Sequence, residues 1–144
     1  MQRAISARGV PSSARLRAWT RAALGRRRGE VTLRIVGPAE SRALNRRFRG
    51  KDKPTNVLSF PYDDPAPGGA HVLGDVVICA AVVAREAREQ GKAPAAHWAH
   101  MVVHGVLHLL GFDHIRAGDA KVMEGRERAI LGRLSFPDPY RPVP

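Results

Sequence analysis

The stretch from Ala95 to His114 reads A-A-H-W-A-H-M-V-V-H-G-V-L-H-L-L-G-F-D-H and decides how the other elements must be arranged. Its apolar residues point in almost every direction around a helix, which is typical of a helix buried on all sides. Pro94 precedes the stretch and Gly111 interrupts it, and these residue types mark the beginning and end of helices. We therefore predict a buried central helix over about residues 95–110, with the other elements packed around it.

Three histidines of this stretch, His104, His108 and His114, have the spacing expected of ligands for one divalent metal ion. A helix places His104 and His108 one turn apart on one face, with Cβ atoms roughly 5–6 Å apart. A turn at Gly111 would bring His114 back to the same ion. Three protein ligands with an open fourth position are the catalytic arrangement of zinc. We predict one zinc ion per chain; the alternative is that these are core histidines that bind no metal.

A related spacing, H-E-x-x-H-x-x-G-x-x-H, belongs to zinc peptidases in which the glutamate is the general base. Here that position is Gly105, so a peptidase is the least favoured function. His100 lies one turn before His104 but about 12 Å from His108 along the helix axis, because each residue rises about 1.5 Å. His100 and His97 are therefore predicted to surround the metal site or to pack, and His100 stays a candidate catalytic group.

The charge of the chain indicates a polyanionic partner. Lys and Arg number 24 against 13 Asp and Glu, which gives a net charge of +11 and a pI near 11.3. Most of the excess is arginine, whose planar guanidinium suits phosphate. Nucleic acid is the natural candidate, and a merely solubilising basic surface is the alternative.

The chain of 144 residues is predicted to form a single domain, residues 1–144, with a basic N-terminal region over 1–29 and a Pro-rich surface tail over 137–144. Its periodicity predicts an α+β fold in which about five helices pack on a small mixed four-stranded sheet. The lone Cys79 fits a reducing compartment, and no apolar segment is long enough to span a membrane, so we expect a cytoplasmic protein. The predicted strands are Arg3–Ala7, Val31–Val36, Asn56–Phe60 and Leu73–Cys79, and the other helices are one after Ser12 or Ser13, one from Pro38, one over 80–90 and one over 118–131.

Several motifs resemble the YbeY family of bacterial rRNA maturation factors. They are H-M-V-V-H-G-V-L-H-L-L-G-F-D-H over His100–His114, L-N-R-R-F-R-G-K-D-K-P-T-N-V-L-S-F-P over Leu44–Pro61, and L-G-D-V-V-I over Leu73–Ile78. The resemblance extends over roughly residues 31–140. It implies a metal-dependent endoribonuclease specific for single-stranded RNA.

The resemblance also implies roles for individual residues. His104, His108 and His114 match the family's metal ligands, usually taken to be zinc. Arg49 matches an arginine near the active cleft, where its guanidinium could hold a phosphate and act in catalysis; the alternative is a loop arginine paired with Asp52. The candidate RNA contacts are Arg49, Lys51, Lys53, Asn56 and Ser59, of which the last two could instead support the turn.

The sequence leaves the attacking atom open between the ribose 2′-OH and water, and it leaves the general base open among His100, Asp113, Asp75 and the metal-bound hydroxide. The resemblance implies action in 3′-end maturation of 16S rRNA and in ribosome quality control. Its partners would be single-stranded RNA and the small ribosomal subunit, with ribosomal proteins and an assembly GTPase as further candidates. The main alternative is a non-catalytic ribosome assembly factor whose metal is structural.

Overall fold

The computed structural model describes residues 2–3, 9–62, 72–112 and 117–141. Its helices and strands alternate along the chain, as the periodicity predicts. The strands in these ranges are β1 (Gln2–Arg3), β2 (Glu30–Val36), β3 (Val57–Pro61) and β4 (Val72–Cys79). The helices are α1 (Ser13–Leu24), α2 (Pro38–Arg49), α3 (Ala80–Gln90), α4 (Pro94–Leu109) and α5 (Ala117–Arg133).

The strands form one mixed sheet in the order β1-β2-β4-β3. β2 is parallel to both β1 and β4, whereas β3 is antiparallel to β4 and lies at the edge. The predicted α+β class with a small mixed sheet is therefore confirmed. Within the described residues the first strand is Gln2–Arg3, which includes the first residue of the predicted Arg3–Ala7; the remainder of that prediction, residues 4–7, lies outside the described residues.

Polar side chains on α2 hold the basic loop that follows it. Ser41 Oγ donates to the carbonyl of Thr55 at 3.0 Å and accepts from the Thr55 N–H at 2.9 Å. Asn45 Nδ2 donates to the carbonyl of Lys53 at 2.8 Å. Both Ser41 and Asn45 are 2% exposed, so these bonds are shielded from water. They fix the path of the chain between Arg49, at the end of α2, and the first residue of β3.

The predicted central helix is α4, and its apolar residues are buried as expected. The side chains of Trp98, Val102, Val103, Val106 and Leu107 are no more than 2% exposed, and they belong to one cluster with residues of α1, β2, β4 and α5. No helix in the described ranges is both long and apolar enough to cross a membrane. The core thus surrounds α4 and gives it a rigid position.

Gly105 is the point where α4 packs tightly against the sheet. A Cβ atom built there would lie 2.5 Å from Cγ1 of Val76 and 3.1 Å from Cγ2 of Val57. The carbonyl of Gly105 also accepts a hydrogen bond from Ser59 Oγ at 2.9 Å. A glutamate at this position, as in the zinc peptidases, would have no room.

Candidate metal centre

A stripe of four histidines runs along one side of α4. Successive ring centroids lie 6.1 Å apart from His97 to His100, 6.2 Å from His100 to His104, and 5.3 Å from His104 to His108. His97 and His100 are buried, whereas His104 and His108 are partly exposed. The stripe therefore begins in the core and ends at the surface, with His104 and His108 at its open end.

These two histidines form one wall of a cleft of about 230 Å³. The opposite wall comes from the end of α2, the loop after it and the edge strand β3. The lining residues are Arg49, Thr55, Asn56, Val57, Ser59, His104 and His108. The cleft thus brings site residues predicted from the Leu44–Pro61 motif together with two of the histidines predicted as metal ligands.

Arg49 faces this cleft without a carboxylate partner within 4 Å in the described ranges. The alternative prediction paired it with Asp52, but Asp52 bonds Arg42 instead. Arg42 Nε and Nη2 donate to the two carboxylate oxygens of Asp52 at 2.8 and 3.0 Å. This hydrogen-bonded pair lowers the pKa of Asp52. The positive charge of Arg49 therefore remains available to an anion.

Glu127 of α5 is the principal site residue that the sequence did not predict. It is fully buried, and its carboxylate contacts both His100 and His104. Oε1 lies 3.1 Å from Nδ1 of His104, and Oε2 contacts Nε2 of His100 and accepts a hydrogen bond from the Tyr140 hydroxyl at 3.0 Å. Burial alone would raise the pKa of Glu127, but the hydrogen bonds from the two histidines outweigh it and lower the pKa to about 2.

The ionised carboxylate fixes which nitrogen of His104 carries a proton. A carboxylate only accepts hydrogen bonds, so Nδ1 of His104 must be the protonated nitrogen in this contact. A neutral imidazole then has its coordinating lone pair on Nε2. Burial and the neighbouring charge of Glu127 raise the pKa of Tyr140, so its hydroxyl stays a donor.

The donor set fits a divalent metal ion. His104 and His108 supply two imidazoles one helical turn apart, and nitrogen ligands of this kind suit zinc. His100, His104 and Glu127 also form a group that could hold a metal ion, with ligand atoms within 4.8 Å of one another. His114 and Asp113 lie outside the described residues.

Asn56 and Ser59 line the cleft but already make hydrogen bonds within the protein. Asn56 Nδ2 donates to the carboxylate of Glu86 at 3.1 and 3.3 Å, and its Oδ1 accepts from the Val57 N–H at 2.7 Å. The Ser59 hydroxyl donates to the carbonyl of Gly105. These bonds hold both side chains in place in the cleft wall.

The remaining candidates lie away from the cleft lining. Lys51 and Lys53 are exposed in the loop after α2. His100, predicted as a catalytic candidate, is only 8% exposed and faces Glu127, so the structure does not bring it into the cleft. Asp75, another candidate base, accepts a hydrogen bond from the Tyr62 hydroxyl at 2.8 Å.

A signal for Glu127 does exist in the sequence. It lies four residues after Met123 and three and four residues before Ile130 and Leu131, all of which are buried. Residues at these spacings share one face of a helix. A glutamate on an otherwise apolar face needs hydrogen-bond donors from another element. Nothing in the sequence of the Pro-rich tail indicates that the Tyr140 hydroxyl donates a hydrogen bond to Glu127.

Comparison with known proteins agrees with the motifs. The sequence model of the family described as Endoribonuclease YbeY matches residues 9–135. The chain is 56% identical over 143 residues to an "Endoribonuclease YbeY" of Methylococcus capsulatus, covering 99% of this chain and 95% of that protein. It is 54% identical over 143 residues to one of Halorhodospira halophila, covering 95% and 92% of the two chains.

A third relative with the same name, from Alcanivorax borkumensis, is 55% identical over 150 residues and covers 99% of this chain and 86% of its own. The fold is similar to the solution structure of TM1509 from Thermotoga maritima, with a TM-score of 0.52, 26% identity, and coverage of 89% and 87% of the two chains. The resemblance that the three motifs indicated is thereby confirmed, and the chain belongs to the YbeY endoribonuclease family.

Proposed function

We propose that this protein is a metal-dependent endoribonuclease that cleaves single-stranded RNA in the cleft between α4 and the end of α2. One observation carries the proposal: Arg49, which has no carboxylate partner in the described ranges, shares a cavity with the adjacent imidazoles of His104 and His108. A guanidinium suits the phosphate of the substrate, and the imidazoles suit a metal ion. The names of the relatives support RNA as the substrate.

The metal is proposed to be one zinc ion held by His104, His108 and His114. A bound divalent ion supplies Lewis-acid polarisation of the phosphoryl group that is attacked. The three-histidine set is preferred to the buried group with His100 because Nδ1 of His104 is engaged by Glu127, which directs coordination to Nε2. Glu127 itself is only 1% exposed in its side chain, so an ion bound there would be out of reach of RNA.

The surrounding residues are proposed to hold these groups in position. Glu127 keeps a proton on Nδ1 of His104 and fixes the orientation of that ring, as carboxylates around zinc sites commonly do. His100 and Tyr140 in turn donate to Glu127 and hold its carboxylate in place. His100 is therefore a positioning residue rather than one that touches the substrate.

Arg49 is proposed to bind the scissile phosphate through two N–H groups and to stabilise the charge that develops on its oxygens. Lys51 and Lys53, exposed in the loop that follows, are proposed to contact neighbouring phosphates of the strand. Asn56 and Ser59 are proposed to shape the cleft wall beside it through their bonds to Glu86 and Gly105.

The biological substrate is proposed to be the precursor 3′ end of 16S rRNA in the cytoplasm, with a further role in ribosome quality control. Family membership and the names of the relatives support this proposal. The small ribosomal subunit would be the principal partner, with ribosomal proteins and an assembly GTPase as additional ones.

The test is cleavage of an end-labelled single-stranded RNA by wild type, His108→Ala, Arg49→Ala and the control Arg88→Ala. Arg88 is an exposed arginine on α3, outside the cleft. Wild type and Arg88→Ala are expected to cleave, while His108→Ala and Arg49→Ala, shown by circular dichroism to be folded, lose all or most of the activity. Equal cleavage by all four proteins would reveal a contaminating nuclease.

End-group analysis of the products then identifies the attacking atom, since attack by the 2′-OH leaves a cyclic phosphate and attack by water leaves a linear one. If wild type cleaves neither naked RNA nor RNA within small-subunit precursors, the result favours a non-catalytic assembly factor. Hydrolysis of casein that is lost in His108→Ala would revive the peptidase function.

A further inference from the structure

A second group of basic residues lies at the C-terminal end of α4, around Phe112. The Phe112 N–H donates to the carbonyl of Leu107 at 3.1 Å. Gly111, with φ of 96°, adopts a conformation that glycine tolerates and other residues rarely do. The chain therefore turns back at the end of the helix, and Phe112 packs against the core instead of continuing outward.

Two guanidinium groups stack on the ring of Phe112. The central guanidinium carbon of Arg27, in the loop after α1, lies 5.6 Å from the ring centroid. That of Arg126, on α5, also lies 5.6 Å from it. Cations within about 6 Å of an aromatic centroid are attracted to the ring face. One aromatic ring thus contacts two positive charges that come from distant parts of the sequence.

These groups line a pocket of about 230 Å³ that also includes Arg26 and Arg133. Its lining contains no acidic residue among those that the structure describes. None of the four arginines has a carboxylate within 4 Å among the residues that the structure describes. We call this site the arginine pocket: Arg26, Arg27, Arg126 and Arg133 around Phe112. Four like charges lie here without a compensating anion from the described residues.

We propose that the arginine pocket binds a phosphodiester group of the same RNA strand that occupies the cleft at Arg49. This inference rests on the proposed function and adds a second RNA subsite to it. Guanidinium groups bind phosphate oxygens through paired N–H donors. The end of α4 carries a partial charge of only about −0.5, which four guanidinium groups outweigh.

The position of the arginine pocket favours an RNA strand over an isolated anion. Leu107 lines the arginine pocket, and the next residue, His108, lines the cleft. Consecutive residues of the last turn of α4, whose side chains point about 100° apart around the helix, therefore line the two sites. A strand that crosses this turn would place one phosphate at Arg49 and a later one in the arginine pocket. Phe112 keeps the two stacked guanidinium groups oriented for that second phosphate.

The experiment measures binding of a fluorescein-labelled single-stranded 2′-O-methyl RNA by fluorescence anisotropy over a range of salt concentrations, with intact strand verified afterwards. The test variant combines Arg27→Ala with Arg126→Ala. The control combines Arg85→Ala with Arg88→Ala on α3, which removes the same formal charge outside both sites. A second test variant, Arg27→Lys with Arg126→Lys, keeps the charge and serves if the alanine variant fails to fold.

The alanine pair is expected to bind RNA about tenfold or more weakly, since charged hydrogen bonds are lost. Its slope of log affinity against log salt should decrease by about 0.7 for each phosphate contact removed. The lysine pair should retain most of the slope but bind more weakly than wild type, because lysine lacks the planar fork. The control pair should change both quantities much less.

The proposal for the arginine pocket would be overturned if the alanine pair kept the RNA affinity and salt slope of wild type. An equal loss of RNA affinity in the α3 control would also overturn it. Arg49→Ala is measured beside them to separate the two proposals. If Arg49→Ala weakens binding and the alanine pair does not, the arginine pocket fails while the proposed function stands. If wild type does not bind single-stranded RNA, both fail.

Discussion

Replacing Glu127 with Gln tests how the metal site is built, because the change keeps the shape of the side chain and removes its charge. In wild type, Oε2 accepts from His100 and Tyr140, whereas Oε1 accepts from His104 alone. A glutamine offers one oxygen and one NH2 group. If the amide oxygen takes the Oε2 position, only the contact to His104 becomes unfavourable. If the NH2 group takes that position, the contacts to both His100 and Tyr140 are disturbed. The amide NH2 should therefore face His104.

That NH2 group would drive His104 into the other tautomer, with the proton on Nε2 and the lone pair on Nδ1. Restoring the coordinating tautomer would leave two donors facing each other in a buried position. One lost charge-assisted hydrogen bond is worth about 1.5–3 kcal/mol. The loss agrees with the 10–100-fold weakening of metal affinity, or about 1.4–2.7 kcal/mol, typical when a carboxylate behind a metal-binding histidine is changed.

Two readouts check this prediction: zinc affinity by competition with a chelating dye, and the tautomer of His104 in metal-free protein by ¹⁵N NMR of the imidazole. Tyr140→Phe is the matched control, since it removes a donor to Oε2 and leaves Oε1 unchanged. We expect a change of tautomer in Glu127→Gln and none in Tyr140→Phe. Unchanged affinity together with a proton still on Nδ1 would refute the reasoning. A loss much greater than 100-fold would indicate that Glu127 is itself a ligand.

Three further outcomes follow from the same structure. Gly105→Ala should destabilise the protein by about 1–3 kcal/mol in urea unfolding, because its Cβ would lie 2.5 Å from Val76. The control Gly125→Ala, which has open space on α5, should stabilise the protein by about 0.5–1 kcal/mol. Equal effects of the two substitutions would contradict the close approach of α4 to the sheet. Arg49→Ala should lower kcat for RNA cleavage by about 10²–10³ if Arg49 stabilises the transition state, and a change confined to KM would argue for ground-state binding alone. Burial lowers the pKa of His97 in the folded protein despite its bond to Glu86. The stability that neutral His97 contributes is therefore complete above its pKa in the unfolded chain, about 6.5, and is lost as the pH falls through its lower pKa in the folded protein. With a chelator present, unfolding free energies of wild type should therefore fall more steeply below about pH 6.5 than those of His97→Gln, and parallel curves would show that His97 does not contribute.

The central helix and the mixed sheet could be predicted because their signals are local. The all-round apolar pattern of α4 and the alternation of β2 each depend on neighbours along the chain. The first strand was less accessible because its described pairing, Gln2–Arg3 with β2, is too short to show a periodicity.

The metal site likewise contains residues that local sequence predicts and residues that only tertiary packing brings together. His104 and His108 share a helix, so their spacing alone predicts that they converge. Arg49 could be assigned only by resemblance, since the loop fold that directs Asp52 to Arg42 is a tertiary property. Glu127 reaches His104 across 23 residues of sequence, and such a contact depends on how α5 packs against α4.

The position of the metal itself, determined by anomalous diffraction from crystals of the zinc-loaded protein, tests the proposed site most directly. We expect one ion in the cleft, bonded to Nε2 of His104 and to His108 at about 2.0–2.1 Å, with Arg49 facing it and Glu127 still hydrogen-bonded to Nδ1. An ion found instead between His100, His104 and Glu127 would contradict the proposed site.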